Sequence, residues 1–159
     1  MNYLYFAYGS NMNPERIRYR IPEARALGRG TLKGWKVVER LYADIDRARG
    51  GRVDGVLYCV SESELGRLDF YEGYPKTYER VAVMVEVFLM GMNTPVRVPA
   101  ITYTMTEETK REREGKKYPD DYRIVCAVGA RHWGLRRNAF GSIPAVKLRQ
   151  QWFTFSRMR

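Results

Sequence analysis

Apolar and polar positions divide the chain into short blocks. Tyr3-Leu4-Tyr5-Phe6-Ala7-Tyr8 is an aromatic, apolar run that stops at Gly9-Ser10-Asn11. Aromatic residues favour strands, and Gly, Ser and Asn favour tight loops, so the block predicts a buried first strand ending in a polar loop. Asn13-Pro14-Glu15 then predicts a helix, with Asn13 as cap, Pro14 in the first turn and Glu15 at the positive end. It should end before Pro22. Ala24 to Tyr42 reads as strands broken by Gly28, Gly30 and Gly34, and Asp44 to Gly51 as a charged, glycine-ended loop. Val53 to Val60 is nearly continuous apolar sequence, the signature of a strand buried on both faces.

Ser61-Glu62-Ser63-Glu64 has the form of a capping box and predicts a second helix, with Leu65 and Leu68 inward and Gly73 and Pro75 ending it. Two strands follow, Tyr78 to Leu89 with Val81, Val83, Val85 and Val87 on one face, and Val96 to Met105, joined by a turn over Gly91 to Pro95. Thr106 to Lys117 is a dense charge run, either an exposed helix or a loop. Pro119-Asp120-Asp121 opens a last helix whose inward stripe holds Tyr122, Val125, Cys126, Gly129, Ala130 and Trp133, and Gly134 ends it. No internal repeat and no domain-separating linker is present. The reading is one domain over residues 1–140 and a basic, aromatic tail over residues 141–159 packed against it.

Composition narrows the function classes. A chain of 159 residues with 45% hydrophobic content can bury a core, and no apolar run is long enough to span a bilayer. The start lacks the basic and apolar regions of a secretory signal, so a cytoplasmic location is expected. Cys59 and Cys126 lack metal-binding spacing and read as reduced, buried thiols, and His132, the single histidine, reads as a helix-surface residue. No metal and no cofactor is expected. The net charge of +10 admits a nucleic-acid partner, but the basic residues are scattered and no recognition motif accompanies them. A solvated basic surface is the favoured reading; a catalytically silent binding module, using Arg149, Trp152, Phe153, Phe155 and Arg157 of the tail, is the alternative.

Two residues break the packing pattern. Glu72 lies seven positions after Leu65 and four after Leu68, on their face of the helix and in its last turn. Burial and the negative helix end both disfavour a carboxylate there and would raise its pKa toward the range a general acid/base needs. The plainer alternative is a helix-end Glu turned to solvent or paired with Arg80. Tyr122 heads the inward stripe of the last helix, and Tyr78 begins a strand six residues past Glu72; core packing accounts for either as well as ligand contact does.

Four segments in order resemble the gamma-glutamylcyclotransferases: Tyr3 to Met12, Gly55-Val56-Leu57-Tyr58, Leu68-Asp69-Phe70-Tyr71-Glu72-Gly73, and Pro119-Asp120-Asp121-Tyr122 with Gly129-Ala130 and Gly134-Leu135. The resemblance implies an α+β fold, a small mixed β-barrel or strongly curved sheet flanked by helices. Monomer and homodimer both stay open. It also implies a reaction in which a γ-glutamyl amino acid or amine cyclises to 5-oxoproline and releases the amino acid or amine. It makes Glu72 the catalytic acid/base. Tyr5, Phe6, Ala7, Tyr8, Gly9, Ser10 and Asn11 would hold the glutamyl end, with Tyr78 and Tyr122 as further substrate contacts. One departure is Arg136-Arg137-Asn138-Ala139-Phe140, where the family often carries a proline and a tyrosine; the other is the tail. Both bear on the leaving group, and a cationic rim would favour substrates with a free carboxylate.

Overall fold

A computed structural model describes residues 1–89, 91–135 and 139–143. Five strands close into a barrel in the order β1-β3-β2-β4-β5, with β1 over Asn2–Ala7, β2 over Arg25–Arg40, β3 over Tyr42–Ser61, β4 over Tyr78–Val87 and β5 over Val96–Met105. Neighbours pair antiparallel except β1 and β5, which are parallel, with Tyr5 opposite Ile101. The barrel is therefore mixed, as expected. Among the described residues four α-helices flank it: α1 over Pro14–Arg20, α2 over Glu62–Glu72, α3 over Glu107–Arg113 and α4 over Asp120–His132. Closure explains why Tyr5, Phe6 and Ala7 are buried in succession: alternate side chains fill the barrel or lie under helices and loops. Among the described residues no helix is long and apolar enough to cross a membrane.

The expected caps form. The Asn13 side chain accepts from the Glu15 and Arg16 N–H groups, with Pro14 in the first turn. Ser61 and Glu64 close a reciprocal capping box, and Gly73 ends α2 at φ 66°.

One stretch departs from the sequence reading. Asp44 to Gly51 is not a loop but part of β3, and Ala24 to Tyr42 holds one long strand, β2, with register shifts at Ala26/Gly28 and Lys33/Trp35. Together they form a hairpin turning at Leu41, whose φ is 65°. The two aspartates of that stretch are paired across space. Arg40 donates to Asp44 Oδ2 at 2.8 Å, Asp46 Oδ2 at 2.7 Å and Glu114 Oε2 at 2.9 Å, and Lys110 Nζ lies 3.0 Å from Asp46. Thr106 to Lys117 contains α3, capped by Thr106.

Helix α4 fixes the loop after β1. Asn13 Nδ2 donates to the Val125 carbonyl at 3.2 Å and Trp133 Nε1 to the Met12 carbonyl at 2.9 Å. Gly129 allows this approach: a Cβ there would stand 2.6 Å from Asn13 N and 2.7 Å from Met12 C. Gly129→Ala should therefore lower stability by about 1–3 kcal/mol, an overpacking cost. Thermal melting measures it, and amide chemical-shift changes centred on Met12 and Asn13 would show where the strain goes. His132 is on the helix surface and Cys126 is buried, as read from the sequence, while Cys59 is only partly buried. Phe140 packs against Tyr118, with ring centroids 5.5 Å apart. Residues 136–138 and 144–159, which include most of the tail and the family departure at Arg136-Arg137-Asn138, lie outside the described residues.

Candidate active site

A cavity of about 300 Å³ opens where the loop after β1, the C-terminal end of α2, the start of α4 and the β2–β3 turn meet. That volume is at the small end of ligand pockets. Of the residues singled out from the sequence, Tyr5, Tyr8, Gly9, Ser10, Asn11, Glu72, Tyr78 and Tyr122 all line it. Phe6 and Ala7 do not. Phe6 is fully buried in the core, its carbonyl taking the Thr102 hydroxyl at 2.8 Å, and Ala7 pairs with Val56 in the barrel.

Glu72 is the last residue of α2, with its side chain 17% exposed. It does not pair with Arg80. That arginine is held by Asp69, one turn earlier, which also accepts from the Tyr103 hydroxyl at 2.7 Å. These bonds tie the end of α2 to β4 and β5. Glu72 Oε1 accepts instead from Asn11 Nδ2 at 3.2 Å and lies 3.8 Å from Arg20 Nη1. Burial raises the Glu72 pKa above its ordinary value of 4.5, and it outweighs the opposing pull of Arg20, the Asn11 hydrogen bond and Arg16.

Asn11 is the hub of this wall. Besides Glu72, its amide donates to the Tyr5 hydroxyl at 2.9 Å, its Oδ1 accepts from Arg20 at 3.0 Å, and its carbonyl accepts from the Tyr58 hydroxyl at 3.0 Å. Its side-chain amide and oxygen thus both engage protein groups.

The opposite wall is built on Ala43. The Ala43 N–H donates to the Tyr122 hydroxyl at 3.0 Å, and the Tyr78 hydroxyl donates to the Ala43 carbonyl at 2.9 Å. Gly9 must be small here, because a Cβ would lie 3.1 Å from the Tyr122 hydroxyl and 3.2 Å from the Ala43 Cβ. Burial, reinforced by nearby Glu72, raises the pKa of Tyr5 and Tyr78, so both remain neutral donors and acceptors.

Arg16, Arg20, Tyr42, Tyr71 and Tyr103 also line the cavity, and none was singled out from the sequence. The two arginines follow the Asn13 cap on a helix that looked like solvated surface. Their spacing of four puts them on one face, but nothing local shows what that face meets.

The barrel and this clustered wall define the class. The family described as gamma-glutamyl cyclotransferase, AIG2-like, matches residues 5–123, and the chain belongs to it. Its class is thereby that of the gamma-glutamylcyclotransferase-type enzymes. A gamma-glutamylcyclotransferase from Bos taurus is 29% identical over 151 residues, covering 84% of this chain and 73% of the relative. A solved structure of a Homo sapiens protein superposes with a TM-score of 0.73 at 24% identity, over 91% of this chain and 95% of that one. A solved gamma-glutamyl cyclotransferase gives 0.67 at 23%, over 92% and 95%. The two structural likenesses carry the fold.

Proposed function

We propose that this cavity converts a γ-glutamyl amino acid or amine to 5-oxoproline and the free amino acid or amine, in the cytoplasm, with Glu72 as general acid/base. The observation that carries the reading is the Glu72 carboxylate, held at a helix end inside a tyrosine-lined cavity and raised in pKa by burial.

In this reading no protein nucleophile is needed, because the substrate's own α-amine attacks its γ-carbonyl. The cavity folds the substrate so that the two meet, an intramolecular positioning effect. A C–N bond forms to the α-nitrogen, and the C–N bond to the leaving amine breaks. The α-nitrogen surrenders two protons over the cycle and the leaving nitrogen gains two. Glu72 relays between them, which a carboxylate with a raised pKa does better than one at its ordinary value. The Gly9-Ser10 backbone supplies N–H groups to the oxyanion that develops on the attacked carbonyl. Tyr78 and Tyr122, fixed through Ala43, bound the space left for the glutamyl chain.

Incubating purified protein with a panel of γ-glutamyl amino acids and γ-glutamylamines tests this. At least one should yield 5-oxoproline and amine in equal amounts. Release of glutamate in place of 5-oxoproline would mean hydrolysis by water and would refute the cyclisation.

A further inference from the structure

Arg16 and Arg20 both line the cavity, four residues apart on α1, yet their situations differ. Arg20 is committed, bonding Asn11 Oδ1 at 3.0 Å, standing 3.8 Å from Glu72 and lying over the Tyr71 ring at 4.8 Å. No hydrogen bond or ion pair to another described side chain engages the Arg16 guanidinium. The other shielded cations described above are matched: Arg40 by three carboxylates, Arg80 by Asp69 and Lys110 by Asp46. Arg16 is half-buried beside Arg20, with Cys126, Tyr122 and Glu72 as its other ionisable neighbours, and burial followed by the Arg20 charge lowers its pKa. Two guanidinium groups therefore share the cavity with one carboxylate, and the remaining lining groups are uncharged. A surplus positive charge held at some desolvation cost is a receptor for an anion.

We propose that Arg16 is the receptor for the α-carboxylate of the γ-glutamyl unit. This rests on the cyclisation reading. That reading brings the α-amine to Glu72, and the α-carboxylate is attached to the same carbon, so it must lie beside the amine. Arg16 lines the same cavity within electrostatic reach of Glu72. Its planar fork matches a carboxylate in two parallel hydrogen bonds. The leaving group, which can vary without changing the cyclisation, needs no such fixed partner. Arg16 thereby selects glutamyl over other 4-aminoacyl groups and holds the carbon whose amine must reach the carbonyl. The same contact retains the product, since 5-oxoproline keeps that carboxylate.

The test compares a γ-glutamylamine with the 4-aminobutanoyl amide of the same amine, which lacks only the α-carboxylate and cyclises to 2-pyrrolidinone. Arg16→Gln should lower kcat/KM on the glutamyl substrate about 10- to 100-fold, the effect of losing a charged hydrogen-bonded contact. It should change the carboxylate-free substrate by less than about 3-fold, with Arg16→Lys intermediate on the former. Calorimetry supplies a second readout: wild type should bind 5-oxoproline more tightly than 2-pyrrolidinone, and Arg16→Gln should abolish the difference. Both variants should melt no lower than wild type, since no described partner is orphaned. Equal losses on both substrates, or equal 5-oxoproline binding by wild type and Arg16→Gln, overturn the inference while cyclisation stands. A wild type that neither turns over nor binds these compounds overturns both.

Discussion

Glu72→Gln should lower kcat by about 10²–10⁴-fold, the range for loss of general acid/base catalysis, while the protein stays folded. The amide preserves shape and can still engage Asn11, which lies 3.2 Å from Oε1, but it cannot take a proton from the ammonium group. Stability should move the other way. A carboxyl whose folded pKa is raised is protonated more readily in the folded than in the unfolded chain, so its contribution to stability is fully present below 4.5 and is lost as pH rises through the raised folded value. Glu72→Gln removes that loss. It should match wild type near pH 4, gain on it as pH rises from 4.5 to the folded value, and hold a constant advantage above. Urea denaturation across pH measures this. A variant less stable than wild type at pH 7 would mean that the carboxylate holds the fold together, and would remove the main support for its catalytic tuning.

Asp44→Ala should be the most destabilising single change in the walls of the site, at about 3–5 kcal/mol, as expected when one partner of a buried ion pair is removed. Asp44 is fully buried. It takes Arg40 at 2.8 Å, the Thr104 hydroxyl at 2.9 Å and the Met105 N–H at 2.8 Å, joining the β2–β3 hairpin to β5. Alanine leaves those donors buried with one acceptor fewer. The consequence reaches the cavity because Asp44 follows Ala43, whose N–H and carbonyl hold Tyr122 and Tyr78. Asp44→Asn keeps the shape and one acceptor oxygen, so it should be milder in stability while still raising KM. An Asp44→Ala protein unchanged in its denaturation midpoint would show that Arg40, Asp46 and Glu114 hold the hairpin without it.

The features legible in the sequence were those fixed by local chemistry. Asn13-Pro14, the Ser61–Glu64 box and Gly73 act within one turn of helix, so their residue types suffice. Glu72 was legible because a carboxylate on the Leu65–Leu68 face contradicts its own helix. What escaped depends on contacts between distant segments. Asp44 to Gly51 looks like a loop until Arg40 and Lys110 neutralise its aspartates across 4 to 64 positions. Arg16 and Arg20 look like surface until the end of α2 is brought against α1. Naming Tyr5 to Asn11 as one contiguous motif swept in Phe6 and Ala7, which the barrel turns away from the cavity. Asn11 lines the cavity as expected of a substrate contact, but its hydrogen bonds to Glu72, Tyr5 and Arg20 are visible only in the folded arrangement.

The most direct measurement is the titration of Glu72 itself, followed by carboxyl carbon NMR beside the pH profile of kcat/KM for 5-oxoproline release. Glu72 should titrate above 4.5, and the acid limb of the profile should fall at the same midpoint, since the reaction begins with the carboxylate accepting a proton. A Glu72 midpoint at or below 4.5, or an acid limb that survives unchanged in the residual activity of Glu72→Gln, would contradict the account.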